Sequence, residues 1–200
     1  MKQAITHFSK TDPVMADLAK KFKVSGSRRP AENRFEYLAL TILYQQLAGK
    51  AADAIAKRFR ALYRGSEFPS PKRVLHTPDD LLRGTGISWP KVGYIKDLAN
   101  KVHTGEVQLE EIEKLEDEAI IAELTKVKGI GRWTAEMFLM SALARPDIFS
   151  FGDLGLQTAI KKAYGLRKLP SKQKMDQISK KWSPHRTYAA RVLWVSLDNT

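Results

Sequence analysis

The sequence predicts an all-α protein. Apolar residues recur at helical spacing along most of the chain, and almost no segment alternates apolar and polar residues as a strand would. Glycine and proline fall between these stretches, where helices begin and end. Since 43% of the 200 residues are hydrophobic, the chain can bury one core or two small lobes that share a cleft.

In the N-terminal part, Asp12 and Pro13 are typical of a helix start, as N-cap and first-turn proline. From Asn33, the stretch FEYLALTILYQQLA predicts a strongly apolar helix at the centre of the core. The next helix is GKAADAIAKRFRALY. The polar pair Gln45 and Gln46 lies between them, where the apolar run ends.

The middle of the chain begins with a turn-rich stretch. Thr77 and Asp80 have the spacing of a capping box for a short helix that ends at Gly84. Pro90 is the expected first residue of the following helix. Trp89 precedes it in a short loop of glycine and serine, and either projects from the surface or packs on its own helix.

Residues 109–124 predict two amphipathic helices that lead into a glycine turn. Their acidic residues form the only acidic concentration in the chain, and we expect them to face solvent without a chemical role. After Asp153 the pattern predicts three more helices. The first ends at Gly165, the second is basic, and the third has Pro184 in its first turn.

Composition excludes several classes of site. The chain has no cysteine, which excludes disulfides, thiol nucleophiles, iron–sulfur clusters and the common structural zinc sites. The four histidines have no metal-ligand spacing. No apolar run reaches the length of a membrane span, and the N-terminus lacks a signal-peptide core. We therefore expect a soluble protein without a membrane partner that is not secreted. It would be cytoplasmic and nucleoid-associated in a prokaryote, or nuclear in a eukaryote. We also expect it to be a monomer.

The charge balance points to a polyanionic partner. The 34 basic and 22 acidic residues give a formal net charge of +12. Such a surface attracts nucleic acid with an affinity that falls as salt rises. Many basic proteins bind no specific polyanion, so the charge alone does not indicate the function. A sequence motif is needed to identify it.

The stretch VKGIG, from Val127 to Gly131, predicts a tight hairpin between two helices. Gly129 and Gly131 flank Ile130, which can pack between the helices. The glycines expose backbone amides at the start of the second helix, a site that attracts phosphate. Lys128 and Arg132 bracket the turn, so a nucleic-acid phosphate is the expected anion. An ordinary helix–helix turn is the alternative.

With the downstream Asp153, the motif VKGIGRWTA…FGDLG resembles the helix-hairpin-helix DNA glycosylase superfamily, and within it the alkylpurine (3-methyladenine II type) DNA glycosylases. Asp153 follows Gly131 by 22 residues, which suits one helix of about four turns and a loop, as in that family. The resemblance extends over roughly residues 12–194. It is specific at the hairpin, at Asp153 and in YQQLAGKAADAI.

The resemblance implies a two-lobed helical fold with its active site in the cleft between the lobes. One lobe would comprise about residues 1–35 and 146–200, and the other about residues 36–145, with the hairpin at 127–131. The implied function is that of a base excision repair enzyme for alkylation damage. It would flip alkylated purines such as 3-methyladenine out of double-stranded DNA and release them.

Asp153 is the expected catalytic residue. Cleavage of an N-glycosidic bond produces an oxocarbenium-like sugar, which a fixed carboxylate can stabilise. Asp153 could also orient or deprotonate the attacking water. As a bare sequence feature it is a helix N-cap, and it can serve both purposes. Family members that also cut the strand carry a nucleophilic lysine where this chain has Trp133, so we expect hydrolysis without lyase activity.

For the base pocket, the resemblance implies Trp133, Met137 and Trp194. Trp133 and Met137 lie four residues apart, hence on one helical face. Aromatic rings suit N-alkylated purines, which carry positive charge. Related bacterial enzymes have a tyrosine at the position of Met137, and Val195 also replaces an aromatic residue. The pocket is therefore less aromatic than usual. Without the family context these residues would be core fillers.

The resemblance also implies a set of DNA-binding residues. A glutamine like Gln46 faces the DNA near the lesion, and a bulky residue like Trp89 fills the gap left by the flipped base. No cofactor is expected, apart from a structural Na⁺ or K⁺ at the hairpin carbonyls near Val127 and Ile130. The full set of expected DNA contacts is Gln46, Trp89, Lys128, Gly129, Ile130, Gly131, Arg132 and Thr134.

Two alternatives remain open at this point. The chain could be a glycosylase for another damaged base, such as uracil or hypoxanthine. It could also be a helix-hairpin-helix module that binds DNA without catalysis. Such a module needs the hairpin but neither Asp153 nor a pocket at Trp133, which makes these two residues the discriminating feature.

Overall fold

The computed structural model describes residues 2–24, 30–47, 49–65 and 67–198, which contain helices and no strand. The prediction of an all-α protein is confirmed. The helices are α1 Lys2–Thr11, α2 Pro13–Lys21, α3 Arg34–Tyr44, α4 Gly49–Ala61, α5 Pro71–His76, α6 Asp79–Gly84, α7 Trp89–His103, α8 Asp117–Leu124, α9 Arg132–Ser141, α10 Leu154–Ala163, α11 Lys172–Ser179 and α12 Arg186–Asp198. Short 3-10 helices cover Ile112–Lys114 and Lys180–Trp182.

The chain folds as two compact units. The terminal unit comprises Met1–Pro30 and Leu139–Thr200, and the central unit comprises Ala31–Phe138. Both boundaries between the units lie a few residues before the positions expected from the sequence. Near the first boundary, the ring of Phe35 packs edge-on against Phe68, and all of α3 belongs to the central unit.

Asp12 lies at the centre of the terminal unit, buried among three donors. Its Oδ1 accepts a hydrogen bond of 3.2 Å from Met15 N, which confirms the predicted N-cap of α2. Its Oδ2 accepts from the hydroxyl of Tyr164 at 2.6 Å and from Nε1 of Trp182 at 3.1 Å. A buried carboxylate is tolerated when its hydrogen bonds are satisfied, so this cluster ties α2 to the C-terminal helices.

The predicted capping box at Thr77 is wrong. Pro78 is the N-cap of α6, without a side-chain hydrogen bond. The hydroxyl of Thr77 instead donates to Arg73 O at 2.8 Å, at the end of α5, a helix that the turn-rich sequence did not predict. Because that hydroxyl already serves the preceding helix, it is directed away from the start of the next one.

The first of the two helices predicted within residues 109–124 is also wrong, since only the 3-10 turn Ile112–Lys114 forms before Asp117. The guanidinium of Arg34 donates to Leu109 O and Glu110 O, each at 2.6 Å. These two carbonyls are therefore used by the Arg34 side chain and not by the backbone hydrogen bonds of a helix. Regular helix begins at Asp117 with α8.

No helix in residues 2–24, 30–47, 49–65 and 67–198 is long and apolar enough to cross a bilayer.

Candidate functional site

The predicted glycine hairpin is present between α8 and α9. Ile130 N donates to Val127 O at 3.1 Å, and the Ile130 side chain is buried. Gly129 has φ +82°, and a Cβ at this position would lie 2.3 Å from Cδ2 of Tyr94. Only glycine meets both the left-handed backbone and this close approach.

Helix α7 holds the hairpin in place. Oδ2 of Asp97 accepts from Lys128 N at 2.8 Å, and Nζ of Lys101 donates to Lys126 O at 2.7 Å. Two of the hairpin amides, those of Lys128 and Ile130, are therefore already used inside the protein. The Lys128 side chain itself is exposed and can reach a phosphate.

Arg132, the second predicted cation of the hairpin, lies in an ion-pair cluster. Its guanidinium contacts both carboxylate oxygens of Glu118, at 2.5 and 2.9 Å, and Oε1 of Glu136 at 3.0 Å. The hydrogen bonds with Glu118 raise the pKa of Arg132. Glu118 belongs to the acidic stretch that we expected to have no role, and here it compensates the charge of Arg132.

Thr134, also a predicted DNA contact, is largely buried. It is only 5% exposed. It sits on α9 between the partly exposed Trp133 and the buried Ala135. Little of its surface is therefore available for a contact with DNA.

The turn between α3 and α4 is fastened to the hairpin through Gln45. Its Nε2 donates to Gly129 O at 2.9 Å. Gln46, the residue chosen from the sequence, is exposed and has φ +57°, a left-handed conformation that is uncommon for a residue with a Cβ. Gln45 therefore binds the hairpin, whereas Gln46 is exposed at the surface.

Trp89 is the first residue of α7 and is 55% exposed, so it projects from the surface rather than packing on its own helix. The loop before it is fixed by Arg58, whose Nε donates to Thr85 O at 2.7 Å. A second large apolar side chain, Leu47, follows Gln46 and is 38% exposed. Leu47 could not be selected from the sequence, because a leucine at the end of an apolar run is typical of a core position.

Trp133 and Met137 lie on one face of α9, as predicted. Trp133 is 48% exposed and Met137 is half-buried. The hydroxyl of Tyr37 donates to Met137 O at 3.4 Å, and its ring packs edge-on against Phe138. An aromatic residue from α3 therefore lies beside the position where related enzymes carry a tyrosine on α9 itself.

Asp153, the predicted catalytic carboxylate, is the N-cap of α10 and is 8% exposed. Its Oδ1 accepts from Leu156 N at 2.7 Å and from Nε1 of Trp194 at 3.1 Å. Trp194, which we expected in the base pocket, is therefore hydrogen-bonded to the predicted catalytic carboxylate. A negative charge at a helix N-terminus is stabilised by the exposed amides and the helix dipole.

Because Gly155 has no side chain, it leaves space for the carboxylate of Asp153. A Cβ there would lie 3.0 Å from Oδ1 of Asp153 and 3.4 Å from Cδ1 of Trp194. Gly155 was not among the residues predicted from the sequence, although it belongs to the motif FGDLG. Its position two residues after Asp153 was the feature that could have indicated its role.

The predicted site residues fall into two groups. Asp153 and Trp194 belong to the terminal unit, where the structure brings them together. The hairpin, Gln46, Trp89, Trp133 and Met137 belong to the central unit. Within the part of the chain that the structure describes, no three or more histidine, aspartate or glutamate side chains are grouped to hold a metal ion.

Comparison with known proteins gives consistent matches. The family model "HhH-GPD superfamily base excision DNA repair protein" matches residues 39–185. The chain is 34% identical over 178 residues to DNA-3-methyladenine glycosylase 1 of Schizosaccharomyces pombe, covering 86% of this chain and 78% of that protein.

Solved structures agree with the sequence matches. A 3-methyladenine DNA glycosylase of Schizosaccharomyces pombe in complex with abasic DNA has a TM-score of 0.86 at 32% identity, covering 98% of this chain and 97% of that one. A DNA-3-methyladenine glycosidase of Bacillus halodurans has a TM-score of 0.83 at 35% identity, with 94% and 86% of the two chains covered.

Proposed function

The chain belongs to the HhH-GPD superfamily of base excision DNA repair proteins, and from this premise we propose that it is a monofunctional DNA glycosylase for alkylated purines such as 3-methyladenine. The observation that carries the proposal is the Asp153 carboxylate, buried at the N-terminus of α10 and bound by Trp194. A module that only binds DNA needs the hairpin but neither this carboxylate nor a base pocket at Trp133.

Asp153 stabilises the transition state of the bond cleavage. As the N-glycosidic bond breaks, positive charge develops on the deoxyribose ring. The two donors on Oδ1, Leu156 N and Trp194 Nε1, fix the carboxylate before the reaction, so it does not have to reorient as that charge appears. Water then attacks the sugar, with Asp153 as the group that orients or deprotonates it.

The central unit binds the duplex and keeps the base extruded. Exposed Lys128 and the hairpin turn contact the phosphates, and Gln46 faces the DNA beside the lesion. Trp89 or Leu47 fills the space that the flipped base leaves, since both are large, apolar and exposed.

The extruded base is bound by aromatic residues. Alkylation at a ring nitrogen gives a purine positive charge, so the base stacks favourably on an aromatic face. Trp133 and Trp194 supply such faces, and Met137 contributes a polarisable side chain where related enzymes have a tyrosine.

The reaction is hydrolysis and leaves the strand intact. The position of the nucleophilic lysine in strand-cutting relatives is occupied by Trp133, whose indole cannot form a Schiff base. The product is DNA with an abasic site and a free base.

A monovalent cation at the hairpin is part of the proposal. Val127 and Ile130 offer backbone carbonyl oxygens, the type of ligand that hard cations take. Val127 O already accepts from Ile130 N, but a carbonyl oxygen has a second lone pair available. Bound there, Na⁺ or K⁺ would add positive charge beside the phosphate. We further propose that the enzyme acts as a monomer.

The test is base release from defined duplexes. Each duplex carries one modified base, either 3-methyladenine or another alkylated purine, hypoxanthine or uracil, and abasic sites are revealed by alkaline strand scission. We expect release of alkylated purines. Release of uracil or hypoxanthine alone would identify a different base specificity, and release of no base with intact duplex binding would identify a non-catalytic module.

A further inference from the structure

Lys91 lies two residues after Trp89 on α7, and its ammonium group binds backbone carbonyls of the protein. Its Nζ donates to Leu43 O at 2.8 Å and to Gln45 O at 2.6 Å. Both carbonyls lie at the C-terminal end of α3, where backbone oxygens lack partners within the helix and a cation is favoured by the helix dipole. Partial burial lowers the pKa of Lys91, in keeping with an ammonium group withdrawn from solvent.

The backbone that Lys91 holds is the one that leads to Gln46. Gln45, whose carbonyl binds Lys91, also donates through its side chain to Gly129 O of the hairpin. The next residue, Gln46, has a left-handed backbone with φ +57°. Such a conformation persists in a residue with a Cβ only where the surroundings hold it, and these two ties on Gln45 supply that restraint.

Lys91 also links this turn to Trp89. It lies in the first turn of α7, so the same short stretch that carries the exposed indole clamps the end of α3. Further along α7, Tyr94 and Asp97 contact the hairpin. One helix thereby sets the positions of the three parts of the proposed DNA surface: the α3–α4 turn, the projecting Trp89 and the hairpin.

We propose that Lys91 is a positioning residue for lesion recognition, which holds Gln46 and Leu47 beside Trp89 and makes no contact with phosphate. The proposal rests on the proposed glycosylase function. It sets Lys91 apart from an exposed lysine such as Lys128, because two of the three donors of its ammonium group are used by carbonyls of the protein.

The test compares Lys91→Met with Lys128→Met over a range of salt concentrations. Binding is measured to a duplex with an uncleavable abasic-site analogue and to the same duplex without damage. We expect Lys91→Met to weaken binding to the abasic duplex about tenfold, the scale of losing charged hydrogen bonds. Its slope of log Kd against log salt should equal that of the wild type.

Lys128→Met is the matched control, since it removes the same charge at the exposed hairpin. Its slope should fall by about 0.9, the value for one lost phosphate contact, with similar losses on both duplexes. If Lys91→Met shows this same fall in slope, Lys91 contacts phosphate and the proposal is overturned. Unchanged affinity for the abasic duplex would overturn it as well.

The ratio of the affinities for the abasic and undamaged duplexes distinguishes a positioning role of Lys91 from a merely structural one. Loss of the Gln46 turn should reduce the preference for the abasic duplex and speed amide hydrogen exchange at residues 45–47. A general loss of stability would instead weaken binding to both duplexes equally, contrary to the proposal. Lys91→Arg, which keeps a cationic donor, should recover part of the preference.

A second variant keeps the proposal testable if Lys91→Met does not fold. Gln45→Leu removes the hydrogen bond to Gly129 O, and should lower the preference for the abasic duplex with an unchanged salt slope. An unchanged preference in this variant would count against the proposal. Because the binding assay needs no catalysis, a wild-type protein that releases no base would refute the glycosylase function without deciding the role of Lys91.

Discussion

Nε1 of Trp194 donates a hydrogen bond of 3.1 Å to Oδ1 of Asp153, the same oxygen that caps α10. The two residues are 41 positions apart, on different helices of the terminal unit. The indole therefore restrains the carboxylate from a direction that the local N-cap cannot provide. Catalysis by Asp153 should depend on both restraints.

Asp153→Asn should abolish most of the activity and retain DNA binding. Asparagine keeps the shape and caps a helix as well as aspartate does, so α10 should remain intact. The negative charge is lost, and base release in a single-turnover assay should fall by orders of magnitude. Equal rates for the variant and the wild type would refute the catalytic assignment.

Trp194→Phe should have a smaller effect, because it removes one donor from Oδ1 and keeps an aromatic ring. The single-turnover rate should fall about 3- to 10-fold, the worth of one hydrogen bond. Trp182→Phe is the matched control, since it removes an indole donor from Asp12, outside the proposed site. It should lower the melting temperature and leave the rate unchanged; equal rate losses in the two variants would contradict the role of Trp194.

Gly155→Ala should separate activity from stability. The added Cβ would lie 3.0 Å from Oδ1 of Asp153, so the carboxylate or the Trp194 ring has to move by a few tenths of an ångström. Alanine is the better helix former, hence the melting temperature should not fall while the rate does. Gly152→Ala, where no atom lies within 4 Å of the added group, should change neither quantity.

Trp89→Ala should weaken binding to a duplex with an abasic-site analogue by about 1 to 3 kcal/mol, the scale of stacking between an aromatic side chain and a base. Fold stability should hardly change, because the indole is largely exposed. Leu47→Ala, measured in parallel, shows which of the two side chains fills the gap. A lower melting temperature with unchanged affinity would show that Trp89 is a packing residue.

Borohydride added during turnover should trap no covalent complex between protein and DNA. Trapping requires a Schiff base from an amine, and the position expected to carry that amine is Trp133. The DNA product should remain uncut until it is treated with alkali. An efficient adduct that disappears on substitution of a single lysine would refute the hydrolytic mechanism and leave the fold assignment intact.

Most helices could be predicted from the sequence, because apolar periodicity and caps such as Asp12 are local signals. The hairpin was predictable for a similar reason, since glycine at position 129 is required by its own backbone angle. The false capping box at Thr77 shows the limit of this approach. A local pattern does not reveal that another helix already uses the hydroxyl.

The contacts that build the site could not be predicted from the sequence, because they join residues that lie far apart along the chain. Nothing near Lys91 indicates that its amine caps α3, and nothing near Trp194 indicates that its indole reaches Asp153. Thr134 shows a related limit, since the motif gives its position but not how far its side chain is buried. The pairing of Arg132 with Glu118 likewise depends on the angle between two helices.

The cluster around Asp12 has a consequence for how the protein is made. Its partners Tyr164 and Trp182 lie 152 and 170 residues further along the chain. At about 5 to 20 residues per second, a ribosome needs about 10 to 30 s to synthesise that stretch. The central unit, which is continuous in sequence, can fold during this interval. The surfaces of α1 and α2 that pack against α12 and the 3-10 helix Lys180–Trp182 therefore stay uncovered until the end of synthesis.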